Sequence, residues 1–411
     1  MESTTYVGLD VHKSVVMATA VDPMGNRIDQ RKLGPTDDEL TQYLRGLPGE
    51  KRVALEATTV WEHFYDAALQ AGAFPVLSNP LKTRLIAETS LKSDKVDSEA
   101  LATLLRLNAL PTAFAPPPEV RVLRRLVRDW VFFQRKLTAV RNHTYSILLA
   151  KGIPYSPGLL SRKRRREELR GRLPELDRGL DALRALEALL TPLEKELDSA
   201  YAKSPEAQLV GTIPGIGSLT AVTLAAFLTP IERFRNVRQV IAYSGLCPTN
   251  HQSAETSYQG RLRRDCNHLL QWVLVEASWR HRYQARSGLV ARAGKRAARR
   301  HSRGGGAITA AQRLVQLVYA VLRRGTSYTS HAPERSRHCQ TAVTSAATST
   351  VAYRSVWVAV LALDVADVLV RPRALITGCE SGPEVLPSPG SKRRDEAGGR
   401  ALSGSSCPAP L

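Results

Sequence analysis

An α/β layer at the N-terminal end followed by a mostly helical remainder is what the sequence predicts. Three observations carry this. Three short strand-like runs precede the first helical pattern, two long amphipathic stretches follow a proline-rich break, and a glycine turn separates two further helical stretches. From Thr4 the runs TYVGLDV, VVMATAVD and RIDQRKL alternate or cluster apolar residues as strands do. A helix is predicted through Asp38–Leu44, a strand at RVALEA, a helix from Thr59 to Gln70 and a strand at FPVLS. Three consecutive strands before the first helix suggest an antiparallel meander leading into parallel strands, the order of a ribonuclease-H-like sheet. A dinucleotide-binding fold would open strand–helix with a glycine-rich turn, and no such turn is present.

The segment PTAFAPPPEV (Pro111–Val120) carries four prolines and interrupts regular structure, which places a domain boundary there. Residues 119–150 and 175–202 form two long helices, with the basic run Arg162–Arg166 between them. They are read as an antiparallel pair, either a coiled coil used for self-association and interrupted at Pro192 or a plain packed hairpin. The turn IPGIG (Ile213–Gly217) lies between helical stretches as in a helix–hairpin–helix element. Gly215 and Gly217 there can present amide N–H groups to a phosphate, or serve as an ordinary connector. The expected organisation is therefore 1–115, an α/β domain; 116–205, a helical hairpin or coiled coil; 206–330, a mostly α domain with the hairpin element; and 331–411, an atypical tail predicted to be disordered from its Ser, Ala, Thr, Pro and Gly content.

The 411 residues carry 58 Lys plus Arg against 38 Asp plus Glu, a formal net charge of +20, which favours a polyanionic partner and nucleic acid first. Residues 331–411 hold nine basic and seven acidic residues, so the excess lies before them. Aromatic residues make up only 6% of the chain, which points to phosphate contacts rather than base stacking as the main binding mode. Five cysteines occur singly without zinc-ligand spacing, and no signal peptide or membrane span is read. A reduced, cytoplasmic protein is expected, nucleoid-associated when bound.

Four carboxylates stand out. Asp10 closes an apolar strand, Glu56 ends another, and Asp94 and Asp97 have the i, i+3 spacing of one helical face. Burying unpaired carboxylates next to strands is costly, and four converging oxygen ligands suit divalent metal, Mg²⁺, in phosphodiester chemistry. His12 is assigned a supporting role beside Asp10. Lys13 and Lys95 are read as phosphate-facing or charge-balancing groups.

The blocks GLDVHK, ALEAT, NPLKTR, KSDKVDSEALA, IPGIGSLTA, AYSGLCPTNHQSAE and RGTSY, in this order between Tyr6 and Tyr328, resemble the DEDD-type insertion-sequence transposases of the IS110 family, which include pilin-gene invertases. The resemblance implies an RNase H/RuvC-like N-terminal domain with Asp10, Glu56, Asp94 and Asp97 as catalytic metal ligands. It also implies a C-terminal transposase domain whose nucleophilic serine falls on Ser253. On chemistry alone Ser244 and Ser257 are rivals, and the motif match selects Ser253. Further implications are a phosphoserine DNA intermediate, a structured guide RNA encoded by the element, DNA at element ends and target, and a homodimer or homotetramer. Arg261, Arg263 and Arg264 suit phosphate clamping, or form a solvated basic face. Two departures are Ala254 after the serine and Cys266 where a glycine is expected, which would strain a positive-φ turn. Two other readings stay open: a metal-dependent junction nuclease with a structural serine, and a non-catalytic nucleic-acid-binding protein.

Overall fold

The computed structural model describes residues 3–86, 94–156, 158–252, 257–284, 288–300 and 302–329. The chain runs β1 (Thr4–Val11), β2 (Val16–Val21), β3 (Arg27–Leu33), α1 (Asp37–Gly46), β4 (Glu50–Glu56), α2 (Trp61–Gln70), β5 (Phe74–Ser78), α3 (Pro80–Ile86) and α4 (Asp94–Arg106). After these come α5 (Pro118–Ala150), α6 (Lys163–Glu167), α7 (Pro174–Lys203), α8 (Pro205–Gly211), α9 (Ser218–Leu228), α10 (Val237–Tyr243), β6 (Pro248–Gln252), β7 (Ser257–Leu262), α11 (His268–Gln284), α12 (Leu289–Arg300) and α13 (Arg303–Arg324). Residues 331–411, read above as a tail, lie outside the described residues.

The first five strands form one mixed sheet in the order β3-β2-β1-β4-β5. Strands β1, β2 and β3 are antiparallel, while β1, β4 and β5 are parallel. This mixed sheet followed by a mostly helical remainder is consistent with the expected ribonuclease-H-like layer. The alternation of side chains gives the sheet two different faces. Val7, Leu9, Val11, Val53 and Leu55 pack against Leu40 and Leu44 of α1 and Phe64 of α2. On the opposite face Tyr6, Ala54 and Val76 meet Leu101 and Leu105 of α4.

Gly8 sets how closely α4 can approach that second face. A β-carbon placed on it would lie 2.0 Å from the Ser98 carbonyl oxygen and 2.6 Å from the Ala102 nitrogen. A polar latch holds the first turn of α4 at the same place. The hydroxyls of Thr19 and Ser98, both fully buried, share a hydrogen bond of 2.8 Å. The Gln30 amide donates to Thr19 Oγ1 at 3.0 Å and to the Lys95 carbonyl at 3.2 Å.

The proline segment is docked on the layer. Asn79 N donates to the Pro111 carbonyl at 2.8 Å and Ala113 N to the Leu77 carbonyl at 2.7 Å, which lays the chain along β5. Pro118 then opens α5, where its missing N–H costs nothing. Helices α5 and α7 are antiparallel: Thr144, near the end of α5, lies against Gly179, near the start of α7. Pro192 lies inside the second of these helices. Helix α7 runs through it, with Leu190 and Leu197 on either side buried in the helical core. Burial on both sides of the proline offsets the lost backbone hydrogen bond. Within the basic run, Arg166 is buried and forms a two-pronged ion pair with Glu187, at 3.0 and 2.8 Å.

Helix α5 ties the sheet to the helical part. Arg121 donates to both oxygens of Asp66 in α2, at 2.8 and 2.9 Å, and stacks on Trp61. One turn on, Arg124 donates to the Ala226 carbonyl at 2.8 Å and lies over Phe227, both in α9. Burial pushes the Arg124 guanidinium down to about 10. Among the described residues no helix is long and apolar enough to cross a membrane.

Replacing Gly8 with Ala forces α4 off the sheet. A loss of about 1–3 kcal/mol is expected, as for overpacked cores, read as a lower midpoint in urea denaturation with an unchanged m-value. Gly46→Ala, where no atom lies within 4 Å of the added carbon, is the control.

Candidate active site

Strands β1 and β4 run parallel with Leu9 opposite Leu55, so Asp10 and Glu56 follow at neighbouring strand ends on the face that α4 covers. Asp94 and Asp97 occupy the first turn of α4, where the helix dipole favours negative charge. The approach permitted by Gly8 and the Thr19–Ser98 latch bring that turn to the strand ends. Two of these carboxylates converge in space with His12. His12 Nε2 lies 3.1 Å from Asp10 Oδ2 and 3.6 Å from Asp94 Oδ1. One ligand atom from each of Asp10, His12 and Asp94 falls within 4.8 Å of the others.

The Asp10 side chain is 17% exposed and that of Asp94 57%, so the cluster opens to solvent on the α4 side. Burial raises the Asp10 carboxyl above its ordinary range. His12 opposes the shift, and the charges of Asp94 and Asp97 add to it. Asp97 is thus near enough to Asp10 to be felt electrically. Two carboxylates and an imidazole offer oxygen and nitrogen donors that fit a divalent cation. A cation there would relieve the repulsion that Asp10 meets. His12 stands closer to the centre of this cluster than its supporting role required. The signal available in the sequence was its i, i+2 spacing from Asp10, which continues the strand face.

Ser253 lies outside the described residues, between the last residue of β6 and the first of β7. These strands pair as an antiparallel hairpin, with Pro248 opposite Leu262. The rival Ser244 is fully buried at the end of α10, away from solvent. Arg263 is occupied: its guanidinium pairs with Asp265, and this hydrogen bond holds the Asp265 carboxyl below the usual range, with a smaller contribution from Lys82 of α3. The Lys82 contribution places the segment after β7 near the N-terminal layer. Arg261 and Arg264 are exposed and, among the described residues, in no ion pair.

The strain expected at Cys266 is absent. Asn108 is the one non-glycine residue with positive φ among the described residues. The left-handed position is instead Gly245, with φ +68°, and a β-carbon there would sit 2.2 Å from Cys266 Sγ. The thiol therefore fills the space that Gly245 leaves. Asn267 caps α11, accepting from Leu270 N at 3.2 Å. In the IPGIG turn Gly215 has φ +88° and packs against the backbone of α11 at His281, whose ring is 2.6 Å from the Pro214 carbonyl. Gly217 precedes the first residue of α9.

Residues 7–151 match the family model of the DEDD transposases of the IS110 group, and residues 207–291 match that of the transposase IS116/IS110/IS902 family. The chain is similar to the transposase of insertion sequence element IS1111A from Coxiella burnetii, 24% identical over 292 residues that span 68% of this chain and 78% of the relative. It is also 24% identical to the transposase of element IS1328 from Yersinia enterocolitica, over 80% of this chain and 99% of the relative. A putative transposase, y4rJ, of Sinorhizobium fredii is 30% identical, but over 46% of this chain and 54% of its own length. A DEDD domain implies use of a divalent metal, and the acidic group at the mouth of the sheet lies inside the matched region. The chain belongs to the IS110 family of insertion-sequence transposases, DNA-cleaving and rejoining enzymes.

Proposed function

We propose that the chain excises and inserts its element by serine attack on DNA, with Mg²⁺ held by Asp10, Glu56, Asp94 and Asp97. The observation that carries the metal site is the convergence of Asp10, His12 and Asp94 on one point. When bound, the metal would supply positive charge to polarise the scissile phosphate and stabilise the leaving oxygen. The rest is done by side chains. In this reading Ser253 Oγ forms an ester bond to phosphorus, loses its proton to a neighbouring base, and displaces the 3′ oxygen, which leaves as a hydroxyl after taking up a proton. The covalent phosphoserine conserves the bond energy needed for rejoining. His12, bonded to Asp10 and near Asp94, orients the carboxylates toward the metal. Arg261 and Arg264 clamp the phosphate near the serine hairpin, Arg263 is braced by Asp265, and the IPGIG amides at Gly215 and Gly217 contact backbone phosphate.

The family resemblance supports three further parts of the reading. Residues 1–115 form the metal-binding unit, 116–205 the self-association helices of a homodimer or homotetramer, and 206–330 the serine unit. A structured RNA from the element selects the DNA sequence by pairing, so that the protein reads backbone and shape. A carboxylate-rich donor set suits Mg²⁺.

Co-expression with the element's flanking non-coding DNA, followed by incubation with end-sequence DNA and Mg²⁺, is expected to give a protein–DNA adduct on a denaturing gel. Ser253→Ala and Asp10→Ala should each abolish it, and His12→Ala should lower its rate about 10–100-fold. Cleavage without an adduct, unchanged in Ser253→Ala, would mean a junction nuclease. Binding without cleavage, with the RNA present, would mean a non-catalytic protein.

The buried charge at Asp10 predicts a second behaviour. Asp10 holds its proton more tightly in the folded protein than in the unfolded chain, so its stabilising contribution is complete below the ordinary carboxylate range and is lost as pH rises through the raised value. In metal-free buffer at neutral pH, Asp10→Asn should therefore unfold at a higher temperature than the wild type, and the gap should close in acid. Added Mg²⁺ should raise the midpoint of the wild type and leave that of the variant unchanged.

A further inference from the structure

The hairpin of α12 and α13 carries a charge pattern that the acidic site does not use. Residues 289–324 hold nine Lys or Arg and no Asp or Glu. On α12, Arg292, Arg296 and Arg300 recur every four residues and so stand on one face, about 6 Å apart along the axis. All three are exposed. They line a groove of about 480 Å³ together with Arg313 of α13, over an apolar floor that includes Ala293, Ala297 and Leu317. No lining residue is acidic, and among the described residues none of the four arginines is in an ion pair with a carboxylate. Like charges one turn apart destabilise a helix. A row of this kind is neutralised by a ligand whose own negative charges recur along a line.

We propose that this groove is a docking site for the sugar–phosphate backbone of duplex DNA, independent of base sequence. Three guanidinium groups spaced over about 12 Å exceed the reach of one phosphate and suit successive phosphates of one strand. Guanidinium groups favour such contacts through their fork of donors. A membrane surface fits less well, because the apolar face of α12, with Val290, Ala291 and Gly294, is buried in the protein. The site adds a DNA contact away from the acidic cluster and does not rest on the proposed serine chemistry.

The test is fluorescence anisotropy of an arbitrary 30-base-pair DNA duplex with the full chain over a series of salt concentrations. The triple variant Arg292→Gln, Arg296→Gln, Arg300→Gln should bind at least about tenfold more weakly at low salt. Its plot of log affinity against log salt should be shallower by about 2–3, near 0.9 for each phosphate contact removed. The corresponding triple change to Lys should keep the slope. A triple of equal charge on α6, Lys163→Gln, Arg164→Gln, Arg165→Gln, should also keep it. An unchanged slope in the groove variant would overturn the proposal, as would an equal loss in the α6 triple. A loss seen with a folded RNA or with anionic phospholipid vesicles, but not with duplex DNA, would overturn it as well.

Discussion

The site depends on the contact of α4 with β1 at Gly8. Helix and strand touch there backbone to backbone, an approach that any side chain at position 8 would block. The latch of Thr19, Ser98 and Gln30 then fixes the helix along its axis, and Leu101 and Leu105 supply the apolar contact beneath. The result is electrostatically expensive. The first turn of a helix carrying Asp94 and Asp97 is pressed toward a strand with Asp10 as its penultimate residue and beside one that ends in Glu56. The helix dipole and His12 offset part of this, yet the Asp10 carboxyl still stays above its ordinary range. A fold optimised for stability alone would not gather these charges; one that binds a cation needs them gathered.

Helix α5 explains how the acidic layer and the helical part keep a common frame. Arg121 and Arg124, one turn apart, reach in different directions: the first clamps Asp66 and Trp61 of α2, the second the Ala226 carbonyl and Phe227 of α9. Arg233 joins the second cluster, over Phe114 of the proline segment and over Phe234. Buried guanidinium groups remain charged because carbonyl oxygens and aromatic faces replace the lost water. The proline segment thus serves as a bracket, with Phe114 seated between strand layer and helices.

Much of this architecture could be read from local pattern. The strands at YVGLDV, RVALEA and FPVLS, the start of α4 at Asp94 and the two long helices follow from periodicity and from proline placement, because each depends on neighbours in sequence. What escaped depends on partners far away in the chain. Gly8 looks like any glycine within a strand until α4, some ninety residues on, is laid over it. Cys266 looks like a substitution for glycine in a strained turn, whereas the positive φ resides at Gly245 and the thiol packs against it. Pro192 interrupts the heptad pattern in the sequence, while the leucines that carry α7 through it are held by the rest of the core. The choice of Ser253 still rests on its motif.

The excess positive charge shows the same limit in another form. Net charge counts every arginine alike, but the fold consumes some of them. Arg121, Arg166 and Arg263 are each paired with a carboxylate, and Arg124 and Arg233 are enclosed by carbonyls and rings. None of these five offers its charge freely to a polyanion. Arg261 and Arg264 beside the serine hairpin, and Arg292, Arg296, Arg300 and Arg313 along the α12–α13 groove, are exposed and, among the described residues, in no ion pair with a carboxylate. An electrostatic footprint for DNA is therefore better drawn from the arginines that the fold leaves unneutralised than from composition. Drawn that way, it includes a patch beside the hairpin and another along α12.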